Sequence, residues 1–356
     1  MRTESSTNVE KKETIQPAAL LTFDVIHDLA LLKIDNPTSA FLSLSNQLLN
    51  KGERIYSMGN PLDLGMSIVE GNYNGLLQAS RYQKILFSGA LNPGMSGGPA
   101  INEQGSVIGI NVSTQGSDIS YLVPVTYLQK LIGSLDSTSI STSITDSEIS
   151  TEARYQQLIH QSLFNDQQVF YGKLLEQAFK TKKLGNVKVA NKITSSLKCW
   201  GHSKDKTEDI DKLKYQSIQQ SCTTEDDIYI ASGINLGQFY YNFEWVTSDE
   251  LNPFQFYAEI EKQFSHDTLN YTYQEKYITS FQCADNVIAL AEHEWKISTC
   301  FRVYKDYPDL YDSQLVMASI DDEHGSLIAK IGASAISKEN TSLLFKRFME
   351  SISWNK

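Results

Sequence analysis

The 356-residue chain is short of basic residues, histidine, proline and cysteine, and each shortage excludes something. With 31 Lys and Arg against 42 Asp and Glu, its net charge is −11, and no long Lys/Arg run interrupts the deficit. A nucleic-acid partner, which needs a basic face for its phosphates, is therefore not expected. No apolar run reaches the length of a membrane-spanning helix. The first 13 residues, MRTESSTNVEKKE, are polar and mixed in charge, unlike the apolar core of a signal peptide. Metal spacing is also missing: there is no CxxC pair, and His293-Glu294 lacks a second histidine four residues after the first. No metal and no cofactor are expected. The four cysteines, Cys199, Cys222, Cys283 and Cys300, all lie in the second half. They are read as two local disulfides in preference to free buried thiols, which implies an oxidising compartment.

At 41% hydrophobic content and this length the chain can bury a substantial core, and two domains fit better than one. Residues 19–34, ALLTFDVIHDLALLKI, suit buried strands on either side of a loop. RIYSMG, MSIVEG, KILFSG, SVIGIN and SYLVPV follow as short strand-like runs separated by Gly, Asn and Pro, the rhythm of an all-β barrel or sandwich. Gly105 supplies a hairpin turn, and Leu128, Leu131, Ile132 and Leu135 share one face of a helix that closes this region.

The Ser/Thr-dominated stretch SLDSTSISTSITDSEIST has too little apolar surface to pack and reads as a flexible linker. Beyond it an amphipathic helix is expected from Thr151, its candidate cap, to about Lys180. Antiparallel strands are expected in DIYIASG, QFYYNFEWV, WKISTCFRVY and SQLVMASI. A helix is expected over Phe254–Phe264, and a last one after Asn340. The second half is therefore α+β without internal repeats. Its many tyrosines fit core and cross-strand pairing better than a binding face.

One stretch, NPGMSGGP at residues 92–99, sets a single serine among three glycines and two prolines. Such a run must be an irregular loop, and a tight turn between strands accounts for that much. The bare backbone around one hydroxyl is also what an oxyanion hole of main-chain amides requires. HDLALLKI, SMGNPLDLG, NPGMSGGPAIN, GSVIGINVS and SYLVPV, in this order, resemble the trypsin-like serine peptidases of the HtrA/Deg type over residues 18–132. The resemblance implies that Ser96 is the nucleophile, that Asp28 orients the catalytic imidazole, and that the amides of Gly94 and Ser96 form the oxyanion hole. It also puts Ala90 at the base of a small or apolar specificity pocket. Met95 stands where many relatives carry Asn or Asp, a change expected to alter loop packing without removing a catalytic group.

The resemblance further implies a histidine upstream of the acid, yet His27 is the sole histidine in the 27 residues before Asp28. Adjacent to Asp28 in the chain, it is read as a solvated loop residue; the other five histidines lie beyond the linker and have no family counterpart. The expected architecture is β + α+β, a chymotrypsin-like β-barrel domain lacking much of its first barrel followed by a separate α+β domain. Its parts are a polar tail at 1–17, the partial peptidase domain at 18–133, the linker at 134–151 and a C-terminal domain of unassigned role at 152–356. No PDZ pattern is found in that last part, unlike the commonest HtrA arrangement. The expected function is peptide-bond hydrolysis of polypeptide substrates through an acyl-enzyme at Ser96. The chain as given is expected to be inactive, as a truncated version of a longer peptidase, periplasmic or secreted in its full-length form. The alternative is a pseudo-peptidase, a non-catalytic peptide- or protein-binding module; the oligomeric state is left open.

Overall fold

The computed structural model describes residues 17–35, 41–47, 49–116, 118–137, 151–204, 215–231, 233–264, 275–290 and 292–354. The polar tail, apart from residue 17, and residues 138–150 of the expected linker lie outside these. Strands β1 (Ala19–Asp24) and β2 (Leu29–Lys33) form an antiparallel hairpin around the turn at 25–28. Six further strands close an antiparallel barrel: β3 (Arg54–Gly59), β4 (Ser67–Leu76), β5 (Ile85–Phe87), β6 (Pro99–Asn102), β7 (Val107–Thr114) and β8 (Ser120–Pro124), in the order β3-β4-β5-β8-β7-β6. Alternation decides what faces inward: in β3, Ile55, Ser57 and Gly59 are buried while Arg54, Tyr56 and Met58 are not. Ile55, Ile85, Phe87, Leu91, Met95, Ala100, Ile108 and Leu122 fill the barrel. Helix α1 (Val125–Ser137) follows, running four residues into the expected linker.

The second half opens with α2 (Thr151–Leu175), which stops short of Lys180 because the chain turns into the hairpin β9 (Thr181–Leu184) and β10 (Val187–Ala190). Its centre is a seven-stranded antiparallel sheet. The strands are β11 (Lys198–Lys204), β12 (Gln216–Thr223), β15 (Phe239–Thr247), β16 (Gln282–Leu290), β17 (His293–Tyr304), β18 (Tyr307–Ser319) and β19 (Gly325–Ile336), ordered β11-β12-β15-β19-β18-β17-β16. The short hairpin β13 (Ile228–Ala231) and β14 (Ile234–Leu236) stands apart from it.

Both faces of the sheet are covered. Phe239, Tyr241 and Phe243, every second residue of β15, meet α2 and α4 (Lys338–Glu350), with the Phe243 and Phe348 rings stacked at 4.9 Å, and Trp245, next on the same face, lies against Gly185 of the β9–β10 turn. On the other face Val246, Ala318 and Ile328 receive Phe256 and Ile260 of α3 (Pro253–Gln263). Asn252 caps α3 in a reciprocal box with Gln255, and Pro253 takes the first helical position. The last helix starts two residues before Asn340 because Ser337 is its cap, accepting the Asn340 amide at 3.3 Å. Strand β20 (Ser353–Trp354) then pairs with β10.

Both disulfides form, and each holds an outermost strand of the large sheet. Cys199–Cys222 joins β11 to β12 and Cys283–Cys300 joins β16 to β17, in each case between residues that are register partners. The two halves of the chain are not independent. Val25, Ile26 and Tyr82 pack in one cluster with Leu163, Ile228, Ile278 and Tyr307. The loop between β4 and β5 is tied to Asp226, whose fully buried carboxylate accepts from the Ser80 hydroxyl at 2.5 Å and from the Arg81 amide, with the Lys84 ammonium 3.4 Å away. Beside it the Arg81 guanidinium reaches Asp166 at 2.6 Å and the Gly237 carbonyl at 3.0 Å.

Two outcomes are expected. Asp226→Ala strands the Arg81 amide and the Lys84 ammonium and leaves the Ser80 hydroxyl only the Tyr82 carbonyl, costing about 3 kcal/mol; calorimetry should then show the two halves melting separately. Reducing the disulfides, which span 23 and 17 residues, should cost about 3 kcal/mol each. Hydrogen exchange should show β11 and β16 losing protection before the rest of the sheet.

Candidate active site

Ser96 lies on the loop between β5 and β6, where Met95 points into the barrel and is completely buried while Ser96 is exposed. The difference at Met95 is thus a packing one: its side chain belongs to the barrel core and lies against Gly59. The loop closes on itself through Met95 N–H to the Asn92 carbonyl and Gly98 N–H to the Met95 carbonyl, both 3.1 Å. Gly94 has φ +95°, and a side chain there would place its Cβ 2.4 Å from the Asn60 carbonyl oxygen. At Gly98 a Cβ would come within 2.1 Å of the Met58 carbonyl oxygen. Glycine at these two positions lets residues 92–98 lie flat against the chain leaving β3.

Asn111 of β7 fixes the loop from beneath. Its side-chain oxygen accepts from the buried Ser57 hydroxyl at 2.9 Å, and its amide nitrogen donates to the carbonyls of Met58 at 3.0 Å and Met95 at 3.1 Å. Its backbone takes the Gly97 N–H and gives its own N–H to the Gly98 carbonyl, each at 2.9 Å. With its turn and its two flanks held, the loop presents the Ser96 hydroxyl outward, 3.4 Å from the Val112 carbonyl it donates to. The Gly94 and Ser96 N–H groups take no partner among the described residues. Ala90 is half-buried in a segment held by Ser120, which donates to the Gly89 carbonyl at 2.7 Å and accepts the Leu91 amide at 3.2 Å.

Asp28 ends the β1–β2 turn, exposed, with φ +54° and no polar partner among the described residues. The carboxylate that meets the nearby imidazole belongs to Asp24. Its Oδ2 lies 2.6 Å from His27 Nδ1, and its Oδ1 accepts the amides of Ile26 at 3.0 Å and His27 at 3.1 Å. Burial works to raise the Asp24 carboxyl, but the hydrogen bond and charge of His27 and the two amides outweigh it and hold the group below its ordinary range. His27 is therefore not the solvated loop residue expected from sequence; it is half-buried, stacked on Tyr127 at 3.6 Å and edge-on to Tyr82. An Asp followed two and three residues later by the amides it accepts is an Asx turn, a local signal that sequence reading passed over.

Val112, which receives the Ser96 hydroxyl, also lines a cleft of about 470 Å³. His27 and Asp28 border the same cleft from the β1–β2 turn, Lys84 from the barrel, and Glu225 and Tyr229 from the second half of the chain. The described residues contain no group of His, Cys, Asp and Glu side chains placed to hold a metal. No described helix is long and apolar enough to cross a membrane.

Residues 2–110 match the trypsin-like peptidase domain family. Over 130 residues, the chain is 30% identical to Protease Do-like 1, chloroplastic, of Arabidopsis thaliana; the match covers 32% of this chain and 29% of that protein. It is 33% identical over 130 residues to a probable periplasmic serine endoprotease DegP-like of Chlamydia pneumoniae, covering 33% of this chain and 27% of that one. The chain thus spans under a third of the length of either relative. Among solved structures it is similar to an HtrA-type protease, AlgW, with decapeptide: TM-score 0.32 and 26% identity over 34% of this chain and 41% of the other. Over its N-terminal third the chain is thus similar to trypsin-like peptidase domains, and the relatives named here are serine proteases of the Do, DegP and HtrA kind.

Proposed function

We propose that the chain carries the nucleophile half of a serine endopeptidase site that acts on polypeptides through an acyl-enzyme at Ser96. The observation behind this is the pair of unpartnered N–H groups at Gly94 and Ser96, flanking an exposed hydroxyl on a loop held in place by Asn111. In the reaction Ser96 Oγ attacks the scissile carbonyl carbon and a base takes its proton. The two amides stabilise the oxyanion, and the proton passes to the departing amine. Water then repeats the sequence to release the acyl group. Asp28 is the acid that would orient the imidazole, and Ala90 makes the base of a pocket for a small or aliphatic side chain. The cleft along Val112 would take the substrate chain. With two disulfides, the protein suits an oxidising compartment, periplasmic or extracellular.

Catalysis also needs a base at Ser96, and the one hydrogen bond of its hydroxyl among the described residues goes to the Val112 carbonyl, not to an imidazole. That observation favours low activity for the chain as it stands, and it keeps open a second reading in which the same cleft binds peptides without cutting them. A fluorophosphonate probe separates the two. The chain should label no faster than its Ser96→Ala variant, while a form extended upstream by a histidine-bearing segment should label at Ser96 several orders of magnitude faster. No labelling by the extended form, with peptide binding retained, would sink the peptidase reading.

Asn111→Leu should cost about 3 kcal/mol, because it takes the acceptor from the buried Ser57 hydroxyl and the side-chain donor from the Met58 and Met95 carbonyls, of which Met95 keeps only the Gly98 N–H. Amide exchange at Gly97 should speed up in the same variant. Gly94→Ala should abolish labelling of the extended form through the 2.4 Å clash with Asn60 while leaving the second half of the chain folded. Labelling at the unmodified rate would show that the loop does not need its observed shape.

A further inference from the structure

A cleft of about 710 Å³ lies between α2, the ends of the β9–β10 hairpin and the turn at 193–196. Three ammonium groups surround it: Lys173 on α2, Lys180 just before β9 and Lys192 just after β10, all exposed. None has a carboxylate partner among the described residues. Lys198, Lys262, Lys296 and Lys346, by contrast, are each paired with a glutamate. In a chain of net charge −11, three free cations around one concavity concentrate positive potential where the rest of the molecule repels anions.

The inner end of the cleft adds no free charge of either sign. Arg81 is nearly buried there with its guanidinium over the Phe170 ring at 4.0 Å, and its charge is met by Asp166, the one carboxylate in the lining. Asp166 in turn accepts the Tyr82 hydroxyl at 2.7 Å. The lining also carries apolar residues, Leu174, Phe179 and Ile193 among them, with Val169 58% exposed. A small inorganic anion would leave that apolar surface wet. An extended segment with spaced carboxylates could meet lysines on three separate elements and lay an apolar side chain against Val169 between them.

We propose that this cleft binds an acidic polypeptide segment through Lys173, Lys180 and Lys192, with an apolar side chain of the segment seated against Val169. The site is distinct from Ser96, and it stands or falls without the peptidase reading.

The test uses the full chain carrying Ser96→Ala, so that no probe is consumed, and a fluorescent heptapeptide alternating Asp or Glu with Leu or Phe, followed by anisotropy. Saturable one-site binding is expected, weakening about tenfold or more in Lys173→Gln/Lys180→Gln/Lys192→Gln and on raising salt from about 50 to about 300 mM. Val169→Ser should also weaken binding, whereas Lys262→Gln/Lys346→Gln should leave it unchanged. All these side chains are exposed, and circular dichroism checks that each variant is folded. Equal affinity in the two sets of lysine variants would overturn the proposal, as would equal binding of the Asn/Gln version of the peptide. So would tripolyphosphate that binds this cleft when the peptide does not.

Discussion

A buried asparagine amide, satisfied at both its oxygen and its nitrogen, ties β3, β7 and the loop at 92–98 together, and the placing of Ser96 follows from it. Asn111 bonds Ser57 and Met58 on one side and Met95 on the other, while its backbone takes Gly97 and Gly98. A polar side chain inside a barrel is costly unless every group on it is paired, and here the pairing spans three segments distant in sequence. Met95 adds the apolar counterpart, since its side chain is part of the barrel core. The exposed serine is thus one residue removed from a core anchor, and its position is set by the barrel interior rather than by the loop alone.

The second constraint is the junction between the halves. Asp226 is a carboxylate with no exposure, and burial of that kind is tolerable only because a hydroxyl, an amide and an ammonium converge on it. All three come from the β4–β5 loop of the barrel. The cleft beside Val112 accordingly has one wall from the barrel and another from the β13–β14 region, so the second half helps to shape the surface next to Ser96.

Much of this was legible in sequence where the pattern was local. The barrel strands showed as short alternating runs between Gly, Asn and Pro, and α3 as a run over Phe254–Phe264, although its Asn252 cap and Pro253 start were not read. The strand GSLIAKIGASAI was not read, because β19 is buried on both faces and so lacks the alternation that marks a half-exposed strand. Ser96 stood out for its glycine-rich surroundings. Asn111 did not, because what makes it matter is contact with residues 54 and 16 positions away. Asp24 was missed although its partner His27 is only three residues away, because its turn carries no glycine or proline to mark it.

The two disulfides join register partners on the strands that have only one neighbour each. Side chains alternate between faces with a period of two, so a slip of a single residue would turn the paired thiols away from one another. Oxidation can therefore seal only the correct alignment, and once sealed an outer strand can no longer creep along its neighbour. The bridges act as a record of register at the two places where the sheet has least else to enforce it, and folding under reducing conditions would proceed without that proofreading.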